Sequence, residues 1–157
     1  MVKESSIEQL IKVCIEMLDA IFHIEFDAGP VMNDCPCPEF GHRYLVVLSF
    51  SNDNNEGRII LGIPEEFFNV CFNSLEDYLD EGDTSSELRL SAFAELLNVI
   101  CGDFTGNPKF IETYGHFEMY TPLVFDRHKF NDINLPTEKG SISVLASPES
   151  DLYIYLY

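Results

Sequence analysis

A carboxylate and a carboxamide stand three residues apart in the segment SAFAELLNVICG, residues 91–102, which is otherwise largely apolar. A helix turns about 100° per residue, so Ser91, Glu95, Asn98 and Gly102 fall within an arc of roughly 60°. Glu95 and Asn98 therefore point the same way and can reach one target. The amide of Asn98 both donates and accepts, which suits it to hold a water molecule in one orientation. The carboxylate of Glu95 accepts hydrogen bonds or pairs with a cation. Neither is an activated nucleophile and no histidine adjoins them, which argues against covalent catalysis. Ser91 and Gly102 are small enough to let a partner surface come close. Spacing alone also fits a plain solvent face carrying two polar residues, and such matches are common.

The helix that must carry this stripe begins near Thr84, where Thr84 and Glu87 have the spacing of a capping box. Leu90, Phe93, Leu97, Ile100 and Cys101 flank the stripe on one side, and Ala92, Leu96 and Val99 on the other. Gly106, Asn107 and Pro108 should break or kink the helix shortly after Gly102. Upstream, Ser5 or Ser6 can cap a first helix whose apolar positions Ile7, Leu10, Ile11, Cys14, Met17, Leu18 and Ile21 recur at helical spacing. A short strand around residues 24–26 and an irregular proline-rich region follow. YLVVLSF (44–50) and RIILGI (58–63) flank the turn-forming SNDNNEG and should pair as a hairpin. Pro64 suits the first turn of a second helix. FEMYTPLVF (117–125) reads as a strand interrupted by Pro122, and SISVLAS with LYIYLY as a final pair, the last half-exposed. The expected fold is therefore a single α+β domain over residues 1–157, with helices packed on a mainly antiparallel sheet.

Composition narrows the partners. The 157 residues carry 27 acidic against 9 basic side chains, a formal net charge of −18. A surface of that sign repels phosphate backbones and anionic lipid, so neither nucleic acid nor a membrane is an expected partner. The start, MVKESSIEQL, lacks the basic and apolar blocks of a secretory signal, which points to the cytoplasm. An odd count of five cysteines at irregular spacing is no disulfide framework. Cys35, Cys37 and His42, near Asp34, invite a metal reading. Yet a C-x-C between prolines lacks the usual ligand pairing, so no metal site is expected and a loop with reduced thiols fits better. Cys14, Cys71 and Cys101 fall on apolar helix faces and read as core. His23, His116 and His128 are scattered without evident partners.

The residues Ser91, Glu95 and Asn98, with Gly102 four further on and Pro122 downstream, resemble the motif of the CheC, CheX and FliY phosphatases of bacterial chemotaxis. That motif is Asp or Ser, three residues, Glu, two residues, Asn, and then about two dozen residues to a proline. Pro122 lies one residue beyond the usual gap. The element order resembles the family over most of the chain. Only one good copy is present, since Glu16 and Asp19 are a faint echo, and a single motif is more similar to CheX than to CheC. The resemblance implies a phosphatase acting on the aspartyl phosphate of a CheY-like response regulator. Glu95 would pair with a lysine of the regulator and Asn98 would position the attacking water, with Ser91 and Gly102 at the docking surface. It also implies a homodimer joined partly through its sheet, and a magnesium ion held by the regulator, with no cofactor of this chain's own. The break expected after Gly102 motivates a second reading, a non-catalytic module that only docks.

Overall fold

The computed structural model describes residues 5–36, 42–73, 86–129 and 139–157. In chain order the elements are α1 (Ser5–Phe22), β1 (Asp27–Ala28), β2 (Met32–Pro36), β3 (Tyr44–Ser51), β4 (Glu56–Ile63) and α2 (Glu65–Asn73). They continue with α3 (Ser86–Thr105), α4 (Pro108–Tyr114), β5 (Glu118–Met119), β6 (Leu123–Asp126), β7 (Lys139–Ala146) and β8 (Asp151–Leu156). The strands form one antiparallel sheet in the order β1-β7-β8-β4-β3-β5, with β2 also on β7 and β6 also on β3. This is the α+β architecture anticipated from the sequence.

The hairpin β3–β4 is the centre of the sheet, paired from Tyr44 opposite Ile63 to Ser51 opposite Glu56. Its turn is held by Asn52, whose side-chain oxygen accepts the N–H groups of Asn54 and Asn55 at 3.0 and 2.8 Å. Both outer edges are broken at a proline. On one side Gly29 to Val31, around Pro30, separate β1 from β2; on the other Tyr120 to Pro122 separate β5 from β6. Proline cannot donate to a ladder and is confined to such edges, where it also discourages pairing with another chain.

Alternation sorts the side chains. Tyr44, Val46, Leu48 and Phe50 of β3, with Ile59, Leu61 and Ile63 of β4, join the helices in the main core. Phe93 of α3 is the junction of that core: its ring meets Phe22, Phe67, Phe68 and Phe72 at centroid distances of 5.7–6.2 Å. The opposite face holds a second, smaller cluster of Leu45, Ile60, Ile142, Tyr155 and Tyr157.

Several local expectations need correction. The strand expected at residues 24–26 forms its ladder slightly later, at Asp27 and Ala28 opposite Ala146 and Leu145. Ile24 and Phe26 are still buried, so the alternation was real although the hydrogen bonds were not there. The irregular proline-rich region contains β2, a strand with a register shift between Met32 and Cys35. LYIYLY is not half-exposed: Tyr155 and Tyr157 are buried, stacked at 5.2 Å, and Tyr155 donates its hydroxyl to the carbonyl of Pro36. Ser5 and Ser6 lie within α1, and the capping residue Thr84 falls outside the described residues.

Candidate functional site

α3 spans 20 residues, about 30 Å of helix, and lies against α1, β3, β5 and β6. Phe93, Leu96, Leu97, Ile100, Cys101 and Phe104 bury one broad side of it. The other side is open. Ser91 and Glu95 are exposed, and Asn98 and Gly102 are partly so. The structure therefore brings all four stripe residues onto one accessible face. Ala92 and Val99, expected as apolar flanks, are exposed as well, Val99 at 44%.

The side chains of Glu95 and Asn98 make no hydrogen bond or ion pair with the described residues, so their polar atoms are available to a partner. Ser91 differs, because its hydroxyl donates to the carbonyl of Glu87 at 3.0 Å. Such back-bonding is common for serine in helices and occupies its proton. The open side of α3 is acidic, with Glu87, Glu95 and Asp103 all exposed. The only basic residue of the helix, Arg89, lies over the Phe72 ring at 5.2 Å. A surface of this kind favours a partner that brings a cation.

Gly102 is open above its backbone. A methyl group placed there would meet only Cε of Met119, at 3.9 Å. Met119 belongs to β5, opposite Phe50, and is 42% exposed. It forms an apolar shoulder beside the stripe that no sequence pattern linked to α3, because the contact runs through the sheet edge.

The break after Gly102 is present, and it is more than a break. Thr105 ends α3, its hydroxyl donating to the Cys101 carbonyl at 2.8 Å. Asn107 then accepts the N–H of Lys109 at 3.0 Å as an N-cap, and Pro108 takes the first position of α4. Asn and Pro in these places are strong helix starters, so the residues that stop one helix begin the next. α4 is anchored by Phe110 on Phe104 at 4.6 Å and ends at Gly115, whose φ of 84° suits glycine. The start of α4 was the missed signal.

Other candidates fall away from this face. Glu16 sits on the solvated side of α1, paired with Lys12 at 3.9 Å. Cys35 lies in β2 and the His42 ring lies tilted against Tyr153, while Cys37 is outside the described residues. Cys14, Cys71 and Cys101 are buried as expected, and burial pushes all three thiols up, that of Cys101 to about 12. They are inert as nucleophiles in this state. No group of three or more His, Cys, Asp or Glu among the described residues is placed to hold a metal ion. Nor is any described helix long and apolar enough to cross a membrane.

No protein-family model matches the sequence, and no curated protein does. Solved structures do match. The chemotaxis protein CheX from Vibrio vulnificus superposes with a TM-score of 0.75 at 12% identity, covering 97% of each chain. A CheC-like superfamily protein from Shewanella sp. PV-4 gives 0.75 at 13% identity, covering 99% of this chain and 97% of the other. CheX from Borrelia burgdorferi, solved as a CheX–CheY–BeF3–Mg2+ complex, gives 0.72 at 17% identity over 96% of each chain. At these identities the likeness establishes the fold, which is that of CheC-like and CheX chemotaxis proteins.

Proposed function

We propose that this chain, folded as CheX is, acts on a CheY-like response regulator and hydrolyses its aspartyl phosphate. The observation that carries the reading is the pair on the middle of α3, Glu95 exposed and Asn98 partly exposed, neither bonded to another described residue. The fold neighbour solved together with CheY supports the choice of partner.

The chemistry asks little of this chain beyond placement. Asn98 would hold a water molecule in line with the phosphorus atom. The water oxygen forms a new P–O bond as the bond to the aspartyl oxygen breaks. The aspartate carboxylate leaves, and the water's proton goes to the phosphate released. Positioning of this kind accounts for much of phosphoryl-transfer catalysis. Glu95 would accept a hydrogen bond from a lysine of the regulator and so fix the helix against the site. The acidic face of α3 complements that lysine and also explains how a chain at −18 approaches a phosphorylated protein. The magnesium ion would be the regulator's, and this chain would contribute no cofactor. Ser91 and Gly102 would let the partner's backbone approach. We further propose a single domain working as a cytoplasmic homodimer, which sedimentation at twice the monomer mass would support.

The test is the decay of a phosphorylated regulator with wild type, Asn98→Ala and Glu95→Ala. Asn98→Ala should lose about 10²-fold or more of the acceleration. Glu95→Ala should lose tenfold or more, mostly through weaker docking. Thermal stability of both variants should stay within about 0.5 kcal/mol, since Glu95 is exposed and Asn98 is only partly covered. If decay is as fast with both variants as with wild type, the assignment is wrong. The break of α3 at Thr105 favours a second reading, a module that docks without catalysis. It predicts binding that survives Asn98→Ala, with no hydrolysis by either protein.

A further inference from the structure

The polar stripe of α3 has little with which to hold a partner. Ser91, Ala92 and Gly102 are small, and the carboxylate of Glu95 is exposed. An exposed ion pair adds little affinity, because water and salt screen it. Protein interfaces are held mainly by a few large side chains that lose their water on binding. If α3 is a docking helix, such anchors must stand close to the stripe.

Two large apolar side chains do. Among the described residues Ile21, Met32, Val99, Met119, Tyr120 and Leu123 are exposed. Val99, 44% exposed, follows Asn98 on α3 and lies about 40° round the helix from Glu95 and 60° from Gly102. Met119 reaches the stripe from the sheet, its Cε being the atom that a methyl on Gly102 would meet. The other side chains lie elsewhere. Ile21 is on α1, and Met32 is on β2 at the far edge of the sheet. Leu123 is opposite Val47, which packs on the smaller cluster, and the Tyr120 hydroxyl is drawn to Ser51 Oγ at 3.0 Å.

The footing of Met119 is fixed while its tip is free. Its partner across the ladder is Phe50, a member of the main core, so Met119 is on the helix-bearing side of the sheet. The next N–H, that of Tyr120, donates to the Ser49 carbonyl at 2.9 Å and holds the backbone. Pro122 discourages the addition of a strand at this edge, so a partner here engages side chains. An unbranched, polarisable thioether on a held backbone packs against many shapes.

We propose, resting on the function proposed above, that Met119 and Val99 are the apolar anchors that hold a CheY-like regulator on α3. They would pack on an apolar side chain that the regulator carries beside the lysine facing Glu95. Charge selects this occupant over a second copy of the chain. Glu87, Glu95 and Asp103 are exposed on the same side of α3, so a like face would be repelled, whereas a cation next to an apolar patch meets both features. Work on this face is then divided: Asn98 holds the water, Glu95 orients the partner, and Met119 with Val99 supplies affinity.

The test measures binding and turnover separately, on the full chain. A CheY-like regulator loaded with beryllofluoride and magnesium is titrated by calorimetry at low and at high salt, and hydrolysis of the phosphorylated regulator is followed over a range of concentrations. Met119→Gln, similar in size but polar, should bind about 5–10-fold more weakly, and Val99→Thr about 2–5-fold. Met119→Leu should bind as wild type does, and so should Met32→Gln at the far edge. In Met119→Gln the KM should rise while kcat stays, as for an anchor that serves ground state and transition state alike. Its loss of affinity should persist at high salt, whereas that of Glu95→Gln should shrink. Melting midpoints and sedimentation should match wild type for both anchor variants. Wild-type affinity in Met119→Gln and Val99→Thr, with binding still weakened by Glu95→Gln, would overturn the anchors and leave the proposed function standing. A smaller assembly mass in Met119→Gln would also overturn them, because a second copy would then be what covers this side chain. Failure of wild type to bind any such regulator would end both.

Discussion

Gly102→Ala separates what the fold needs from what a partner needs. Glycine in a helix interior costs about 1 kcal/mol relative to alanine, because it gives up more backbone freedom on folding. The added methyl would meet only Met119 Cε at 3.9 Å, an ordinary contact, so nothing among the described residues opposes it. The variant should therefore gain about 0.5–1 kcal/mol of stability, read by calorimetry as a midpoint roughly 1–4 °C higher. Gly106→Ala is the matched control. Its methyl would sit 2.8 Å from the Gly102 carbonyl oxygen, too close for backbone to tolerate, so this variant should be less stable than wild type. The functional readout should move the other way. If a regulator's backbone seats against Gly102, the methyl must be accommodated at about 1–3 kcal/mol, or roughly 5–150-fold weaker binding. Binding is measured with a regulator held in its phosphorylated form by beryllofluoride. Loss of stability in Gly102→Ala would refute the reading of its surroundings. A gain of stability with unchanged affinity would refute close approach at this residue.

Other expectations follow from the core, from α4 and from titration. Phe93→Ala removes the ring on which Phe22, Phe67, Phe68 and Phe72 converge, and should cost about 3–5 kcal/mol in denaturant unfolding. Asn107→Ala removes the cap of α4 and should cost about 1 kcal/mol, while Asn107→Asp should retain most of it. In a thiol-modification assay, Cys14, Cys71 and Cys101 should react only after unfolding, because burial keeps their thiols protonated. The pKa of His42 lies below its ordinary 6.5, so the unfolded chain takes up this proton first as pH falls. Stability is then fully present above about pH 6.5 and declines below it until the folded-state pKa is passed. His42→Gln should flatten that part of a melting-temperature profile.

Much of this protein was legible residue by residue. The runs 44–50 and 58–63 stop at a polar turn, and they are the central hairpin. The apolar spacing of α1 and α3 marked most of their buried faces, although Ile21 and Val99 are exposed, and Pro122 marked the interruption of the edge. These succeed because they are local: period, turn residues and proline geometry act within a few positions of the chain. β2 was missed because Asn33, Asp34 and Pro36 are poor strand formers, with Asp34 at a φ of 54° in the register shift, and the pairing with β7 that holds the segment lies more than 100 residues away. Tyr155 and Tyr157 looked half-exposed because alternation says which face a side chain takes, not what covers that face.

The sequence by itself determined the helical stripe and so the pairing of Glu95 with Asn98, since 3.6 residues per turn fixes which side chains align. It also set the acidic balance that limits partners. Tertiary structure decided that the stripe is open, that Met119 stands beside Gly102, and that Arg43 meets both Glu65 and Asp126. The physical reason is range. Helical phase is a property of neighbours in the chain, whereas solvent access and charge pairing depend on surfaces that meet only after the sheet has closed around its central hairpin.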